Sequence, residues 1–277
     1  MDDQVSAIHL WQSTGCDTPT PMGNRSAECV WNTDAPGAPI YLAGDSMAGM
    51  LSEGALGAGE ILGRTVFPGT LGACPFIDAS LILEGREDQE CTTFVQQSLD
   101  WLVSEAEPGE VILASSFGYT TMGGAQLDTG ELYETASTTP DRTTAYLNAL
   151  GQTINQLNHA GHQVHVVLPT PGFPQTLDAS WVWYPSQCST AEALISIESC
   201  GMKRDLNSVE EETLDLEIKI GNLVQEKGGS SIQLRDFLCE DGVCSTSRGN
   251  NWLYLDGTHI THDASTMMSG LLAELLR

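Results

Sequence analysis

Positive charge is scarce in this chain. Lys and Arg total 11 against 37 Asp and Glu in 277 residues, a formal net charge of −26. A chain this acidic is repelled by nucleic acid and by anionic membrane surfaces, which argues against nucleic-acid partners; the acidic excess reads as a solvated face that aids solubility. Nowhere is there a run of the ~18 apolar residues that a membrane-spanning helix needs, and the N-terminal MDDQVSAIHLWQ lacks the basic-then-apolar order of an export signal. The chain is therefore expected not to span a membrane itself. Cys-x2-Cys spacing is also missing, which removes the usual half-site of a structural zinc centre. The apolar content, 41%, is ample for a core.

The most informative stretch is Ile40 to Met50, IYLAGDSMAGM. An apolar run ends in Gly44-Asp45-Ser46 and a second apolar segment follows, the pattern of a strand, a tight turn and the first turn of a helix. A serine at that junction is exposed at the carboxyl end of the strand. Its own N–H is among the donors that a helix N-terminus leaves unpaired, so nucleophile and oxyanion donor coincide. Gly, Asp and Ser are also what any turn prefers, so the tripeptide alone reads more readily as a turn with an N-capping serine, with Asp45 hydrogen-bonding within it.

A second stretch, Tyr254-Leu-Asp256-Gly-Thr-His259-Ile-Thr261, carries Asp and His three apart just before an apolar segment, Met267 to Leu276, that reads as the last helix. A serine hydroxyl needs a base within hydrogen-bond reach. That base needs an anion on its other nitrogen to hold its tautomer and stabilise the imidazolium. Ser46, His259 and Asp256 supply those three roles if parallel strands bring both loops to one sheet edge.

These two blocks resemble the first and last motifs of the SGNH (GDSL-like) hydrolases. Cys74-Pro75, Cys188 after a Pro-rich loop, and the Leu-Cys-x4-Cys run from 238 to 244 resemble one branch. In that branch an extracytoplasmic SGNH domain is fused to membrane acyltransferase-3 proteins that O-acylate envelope glycans and lipids. The likeness runs from about Cys16 to the C-terminus. It implies an α/β three-layer sandwich around a roughly five-stranded parallel sheet, with disulfide-stapled loops. It also implies a location in the bacterial cell envelope, tethered to the membrane in the full-length protein, with any export or anchoring segment outside this stretch.

The resemblance further implies an oxyanion hole. One donor is the Ser46 N–H, and a second is a Gly after strand two, for which Gly72 and Gly69 are placed, Gly72 slightly preferred. The third is usually an Asn in a Gly-x-Asn motif after strand three. Here the sequence reads Ala114-Ser115-Ser116-Phe117-Gly118 and has no Asn. Ser115 or Ser116 is the expected substitute, unless two donors suffice.

Eight cysteines leave the connectivity formally open. Their spacing suggests four local pairs: Cys16 with Cys29, Cys74 with Cys91, Cys188 with Cys200, and Cys239 with Cys244. Each closes a short loop, contributing at most about 3 kcal/mol, and the usage fits an oxidising compartment.

Residues 1–38 read as an irregular lead-in held by the first cysteine pair, and the whole of 1–277 as one domain. Strands are expected at Ala38 to Ala43, Arg64 to Phe67, Glu110 to Ser115, Val164 to Pro169 and Ser231 to Arg235, with a loop over 68–75. Helices are expected from Ser46 to Leu62, Thr93 to Ala106, Thr143 to Ala160 and Val209 to Lys227, the last with a capping box at Ser208-x-x-Glu211. The region Thr170 to Arg204 reads as irregular. Alternating strands and helices call for right-handed crossovers and a ligand site at the carboxyl ends of the strands.

Several residues invite stronger readings than their context supports. His159, His162 and His165 straddle a turn and begin a strand, so they are not expected to converge on a metal. His262 reads as a first-turn helix residue on the surface. Trp181, Trp183 and Tyr184 offer either a sugar-stacking wall or, the preferred reading, loop core. Asn24-Arg-Ser26 is a formal glycosylation sequon and is discounted.

The sequence thus points to a serine acyltransferase acting through an acyl-serine intermediate, with no metal or other cofactor. By resemblance its acyl donor is a membrane-embedded acyltransferase-3 domain and its acceptor an envelope glycan or glycolipid. An SGNH esterase and a non-catalytic glycan-binding module are the alternatives.

Overall fold

The computed structural model describes residues 7–83, 85–120, 125–128, 139–173, 184, 185, 188 and 197–277. Five strands form the central sheet: β1 (Gly37–Gly44), β2 (Arg64–Thr70), β3 (Glu110–Ala114), β4 (Gln163–Val167) and β5 (Ser230–Ile232). Their spatial order is β2-β1-β3-β4-β5 and every neighbouring pair is parallel. The helices used below are α1 (Leu10–Ser13), α2 (Ser46–Gly49), α3 (Ser52–Leu62), α4 (Gln89–Ser104), α5 (Thr139–His159), α6 (Leu206–Glu226), α7 (His262–Met267) and α8 (Ser269–Leu275).

The period-two alternation of a strand sorts its apolar residues onto two faces. From β1, Ile40 and Leu42 join one buried cluster with Met50, Leu51 and Leu272. Tyr41 and Ala43 join a second with Phe94, Leu99, Tyr146 and Leu150. β3 divides the same way, Ile112 and Ala114 against Val111 and Leu113. Helices α3, α7 and α8 cover the first face, and α4 and α5 the second. Both faces are buried, as a parallel sheet requires, and a fully buried Leu or Ile here contributes about 1.5–3 kcal/mol.

The lead-in covers the outer edge of β2. Trp31 exchanges backbone hydrogen bonds with Val66, and Asp17 bridges to Thr70. The Arg25 guanidinium donates to the carbonyls of Pro68 and Thr70 on the strand and of Cys16, Thr18 and Thr20 within the lead-in. Because β2 lies at the sheet edge, Pro68 is tolerated inside it. The loop expected from 68 therefore begins only after Thr70, and Gly69 is a strand residue rather than a loop residue.

Other expectations need correction. The helix after Ser46 is interrupted at Met50 and Leu51, where the Leu51 N–H bonds back to Ala48 and the turn tightens before α3 begins. The α6 cap is Asp205, whose side chain accepts the Asn207 N–H, not Ser208. α4 starts at Gln89, capped by Asp88 through the Cys91 N–H. The final helix divides into α7 and α8, and small antiparallel sheets appear that the βα pattern did not announce. One is a hairpin in which Cys239 stands directly opposite Cys244 across Asp241-Gly242, both with positive φ, the Asp-Gly signature of a tight hairpin turn.

The disulfides join Cys16 to Cys29, Cys74 to Cys91, Cys188 to Cys200 and Cys239 to Cys244, as the spacing suggested. Most of the region 170–204, including Trp181 and Trp183, lies outside the described residues, whereas Tyr184 is exposed. No helix among the described residues is long and apolar enough to cross a membrane.

Candidate active site

Ser46 opens α2 where β1 ends. Gly44, with φ of +152°, lies so close to β3 that a Cβ there would stand 1.7 Å from the Ala114 carbonyl oxygen, so only glycine fits. Asp45 caps the helix, its Oδ1 accepting the Met47 N–H at 2.8 Å. At the other end of the chain, the segment 254–260 folds back on itself. The Leu255 N–H donates to the His259 carbonyl, and Tyr254 bridges to Ile260.

These two turns bring Ser46, His259 and Asp256 together. His259 Nε2 is 2.8 Å from Ser46 Oγ, and His259 Nδ1 is 2.8 Å from Asp256 Oδ2. Asp256 Oδ1 accepts the N–H groups of Thr258 at 2.6 Å and His259 at 2.7 Å, which fixes the carboxylate. Burial works against the Asp256 anion, but its bonds from the His259 ring and the two backbone N–H groups prevail, and its carboxyl stays below the ordinary range. Burial likewise works against a charged His259; the bond and charge of Asp256, helped by Asp45, prevail and raise the imidazole above its ordinary value. An imidazole so placed can act chemically as a general base toward the Ser46 hydroxyl.

The model of SGNH domains fused to AT3 domains matches residues 15–274. This chain belongs to that family. Among solved structures the SGNH domain is similar to the periplasmic domain of a lipopolysaccharide acetyltransferase from Salmonella ser. Paratyphi A. The two share 16% identity and a TM-score of 0.62 over 99% of this chain and 100% of that one, a likeness of fold. No curated protein matches the chain significantly.

Around Ser46 the donors are distributed unevenly. Among the described residues, no acceptor in the protein takes the Ser46 N–H. The Gly72 N–H donates to Asp17 Oδ1 at 3.0 Å, so its use by a ligand requires that exposed carboxylate to yield. Gly69 lies within β2 with its α-carbon against Met22, packed rather than presented. The Ser116 N–H donates to Asp45 Oδ2 at 2.8 Å, while the Ser116 Oγ accepts the Gly118 N–H and retains its hydroxyl proton. Ser115 is buried. Asp45 thus does more than close its own turn: it ties the nucleophile turn to the loop after β3. It is almost fully buried, and burial pushes its carboxyl up to about 6 against the opposing bonds from Ser116, Met47 and Tyr119.

The remaining histidines have other partners. His159 Nδ1 bonds to the Asn155 carbonyl; His162 lies between the Leu102 carbonyl and the Gly109 N–H. His165 lies between Ser230 Oγ at 2.6 Å and Glu110 Oε2 at 2.7 Å, with Arg64 on the other oxygen of Glu110. This second Ser-His-Glu set sits at the amino ends of the strands, away from the helix N-terminus that gives Ser46 its donor. His262 lies in the first turn of α7, half-buried beside Asp263. Tyr119, which hydrogen-bonds Asp45, and the buried pair His9 and Glu53 stand in no motif that sequence reasoning could find.

Proposed function

We propose that this SGNH domain is an extracytoplasmic serine O-acyltransferase. The observation that carries the reading is the continuous hydrogen-bonded line from Asp256 through His259 to Ser46. Ser46 Oγ attacks the carbonyl carbon of an acyl donor while His259 Nε2 takes its proton, and the oxyanion forms against the Ser46 N–H. The Ser116 hydroxyl and, once released by Asp17, the Gly72 N–H are the supporting donors. Collapse expels the donor's leaving group, protonated by His259, and leaves an acyl ester on Ser46. An acceptor hydroxyl, deprotonated by the same imidazole, then attacks that ester, takes the acyl group and frees the serine.

Membership of a family fused to AT3 domains supports a membrane-embedded partner as the source of the acyl group. The acetyltransferase neighbour supports an acetyl group and a lipopolysaccharide-like envelope glycan as acceptor. The test has two parts. A fluorophosphonate serine probe is expected to label the folded protein at Ser46 and to leave Ser46→Ala unlabelled. Turnover of an acetyl ester is then followed with and without a sugar acceptor. Appearance of the acetylated sugar supports transfer, whereas hydrolysis indifferent to any acceptor points to an esterase, and absence of labelling points to a binding module.

A further inference from the structure

The lead-in carries a histidine that the triad does not use. His9 is 3% exposed, and both ring nitrogens are taken: Nδ1 lies 2.8 Å from Glu53 Oε2, and Nε2 lies 2.9 Å from the carbonyl oxygen of Ile260. Glu53 belongs to α3, immediately after the nucleophile turn. Its second oxygen accepts the Leu10 N–H and the Ser52 hydroxyl. Ile260 directly follows His259, and its N–H points to Met50 Sδ at 3.5 Å. Trp11 packs next to this contact, with its indole so close to Gly49 that a Cβ there would stand 2.3 Å away. One imidazole therefore joins three stretches: the lead-in, the helix behind Ser46 and the strand-like segment carrying His259.

The chemistry of the contact fixes its protons. A carbonyl only accepts, so Nε2 of His9 carries a proton. Burial opposes ionisation of Glu53, but the bond and charge of His9 and the Leu10 N–H prevail and hold its carboxyl below the ordinary range. Both ring nitrogens of His9 are thereby committed, one to the Ile260 carbonyl and one to the Glu53 carboxyl. A buried polar pair depends on both members, because either one left alone is an unsatisfied group withdrawn from water.

We propose that His9 is a positioning residue for the catalytic base. Through the Ile260 carbonyl it sets where the His259 ring stands relative to Ser46, and Glu53 fixes the orientation of the His9 ring. The inference rests on the triad reading given above. Leu255 N–H to the His259 carbonyl and Thr261 N–H to the Leu253 carbonyl lie within the segment and keep its shape, while the Gly257 carbonyl and the Tyr254 hydroxyl tie it to Phe173 and Pro171, and the N–H groups of Leu253 and Tyr254 tie it to Thr246. Toward the stretch behind Ser46 the segment is held by the long contact of the Ile260 N–H with Met50 Sδ and by the shorter Ile260–His9–Glu53 relay, which also fixes it to the lead-in. Loss of that relay is expected to move the ring rather than unfold the loop, and a misplacement of about 1 Å at reacting atoms costs on the order of 100-fold in rate.

The experiment compares His9→Ala, His9→Gln and the double variant His9→Gln/Glu53→Gln with the wild type. Acetyl-ester kcat and KM are measured, together with the NMR signal of the His259 Nδ1 proton shared with Asp256, and thermal unfolding confirms that each variant is folded at the assay temperature. His9→Ala is expected to lower kcat by about 10- to 100-fold with KM little changed, and to shift or broaden the His259 signal. In the double variant the new amide at position 9 donates to Ile260 and accepts from the new amide at position 53, with no buried charge, so this variant is expected to recover most of the lost kcat and the wild-type signal. Where the alanine variant does not fold, the comparison runs between His9→Gln, which sets an amide oxygen against the Glu53 carboxylate, and the double variant. A folded His9→Ala with wild-type kcat and an unmoved signal overturns the inference, as does a double variant no better than either single change. A wild type that turns over no ester sinks the triad reading instead, and the His259 signal then decides the positioning role without any activity.

Discussion

Replacing Asp256 by Asn tests the triad at the point where geometry and protonation separate. The wild-type carboxylate accepts three bonds: Oδ1 takes the N–H groups of Thr258 and His259, and Oδ2 takes the His259 Nδ1–H. An Asn side chain keeps its oxygen on the two backbone N–H groups, so the loop is retained. Its NH2 then replaces Oδ2 and faces Nδ1 as a donor. The neutral imidazole responds by moving its proton to Nε2, the atom 2.8 Å from Ser46 Oγ, and the base has lost the lone pair with which it accepts the serine proton. A wrong tautomer of this sort costs about 10⁴-fold in kcat, equivalent to about 5 kcal/mol of barrier. The pH profile provides a second, independent readout. Turnover needs neutral His259, and since Asp256 raises that imidazole above its ordinary value, the acid limb of the wild-type profile lies above about pH 6.5. In Asp256→Asn the raising charge is gone, so the limb of the residual activity moves to lower pH. Fluorophosphonate labelling rates and acetyl-ester turnover from about pH 5 to 9 measure both effects. A folded Asn variant with wild-type labelling at neutral pH, or an acid limb that does not move, refutes the assignment of Asp256.

Other expectations follow from the same structure. Asp45 has a folded-state value of about 6, above its unfolded one, so it contributes stability that is present below about pH 4 and lost as pH rises through about 6. In Asp45→Asn the chemical-denaturation stability loses that component, worth about 3 kcal/mol, and a wild-type-like difference between pH 4 and 7 in the variant counts against a buried ionising Asp45. Gly44→Ala drives a methyl group into the Ala114 carbonyl and is expected to lower stability by at least about 3 kcal/mol, read as the unfolding midpoint. Cys74→Ser/Cys91→Ser opens a link of sequence separation 17 and is expected to cost about 3 kcal/mol, a loss matched in the wild type by full reduction of that bond. Ser230→Ala, in the second Ser-His-Glu set, is expected to leave probe labelling of Ser46 unchanged; a fall in labelling would mean that the two sets communicate.

The parallel sheet and the meeting of Ser46, His259 and Asp256 were legible because each follows from a local pattern. β1 reads as a strand from its own alternation, and Ser46 and Asp256-x-x-His259 stand in short motifs whose roles follow from their chemistry. What escaped the sequence depends on tertiary context. Pro68 is a loop signal unless the strand is known to lie at an edge, and the Asp88 and Asp205 caps compete with neighbouring Ser and Glu that look equally suitable. The Asp241-Gly242 hairpin did carry its own signal, hidden by the flanking cysteines, which drew attention to pairing rather than to turn chemistry. His9 gave no sign at all: it sits in a polar lead-in, and its two partners lie 44 and 251 residues away.

Ser46 and His259 are 213 positions apart in the chain yet 2.8 Å from one another. Every strand of the central sheet after the first lies between them, so a partly folded chain holds the hydroxyl with no imidazole beside it. Any reagent whose attack on Ser46 needs that imidazole therefore reports on native folding of the whole span from 46 to 259.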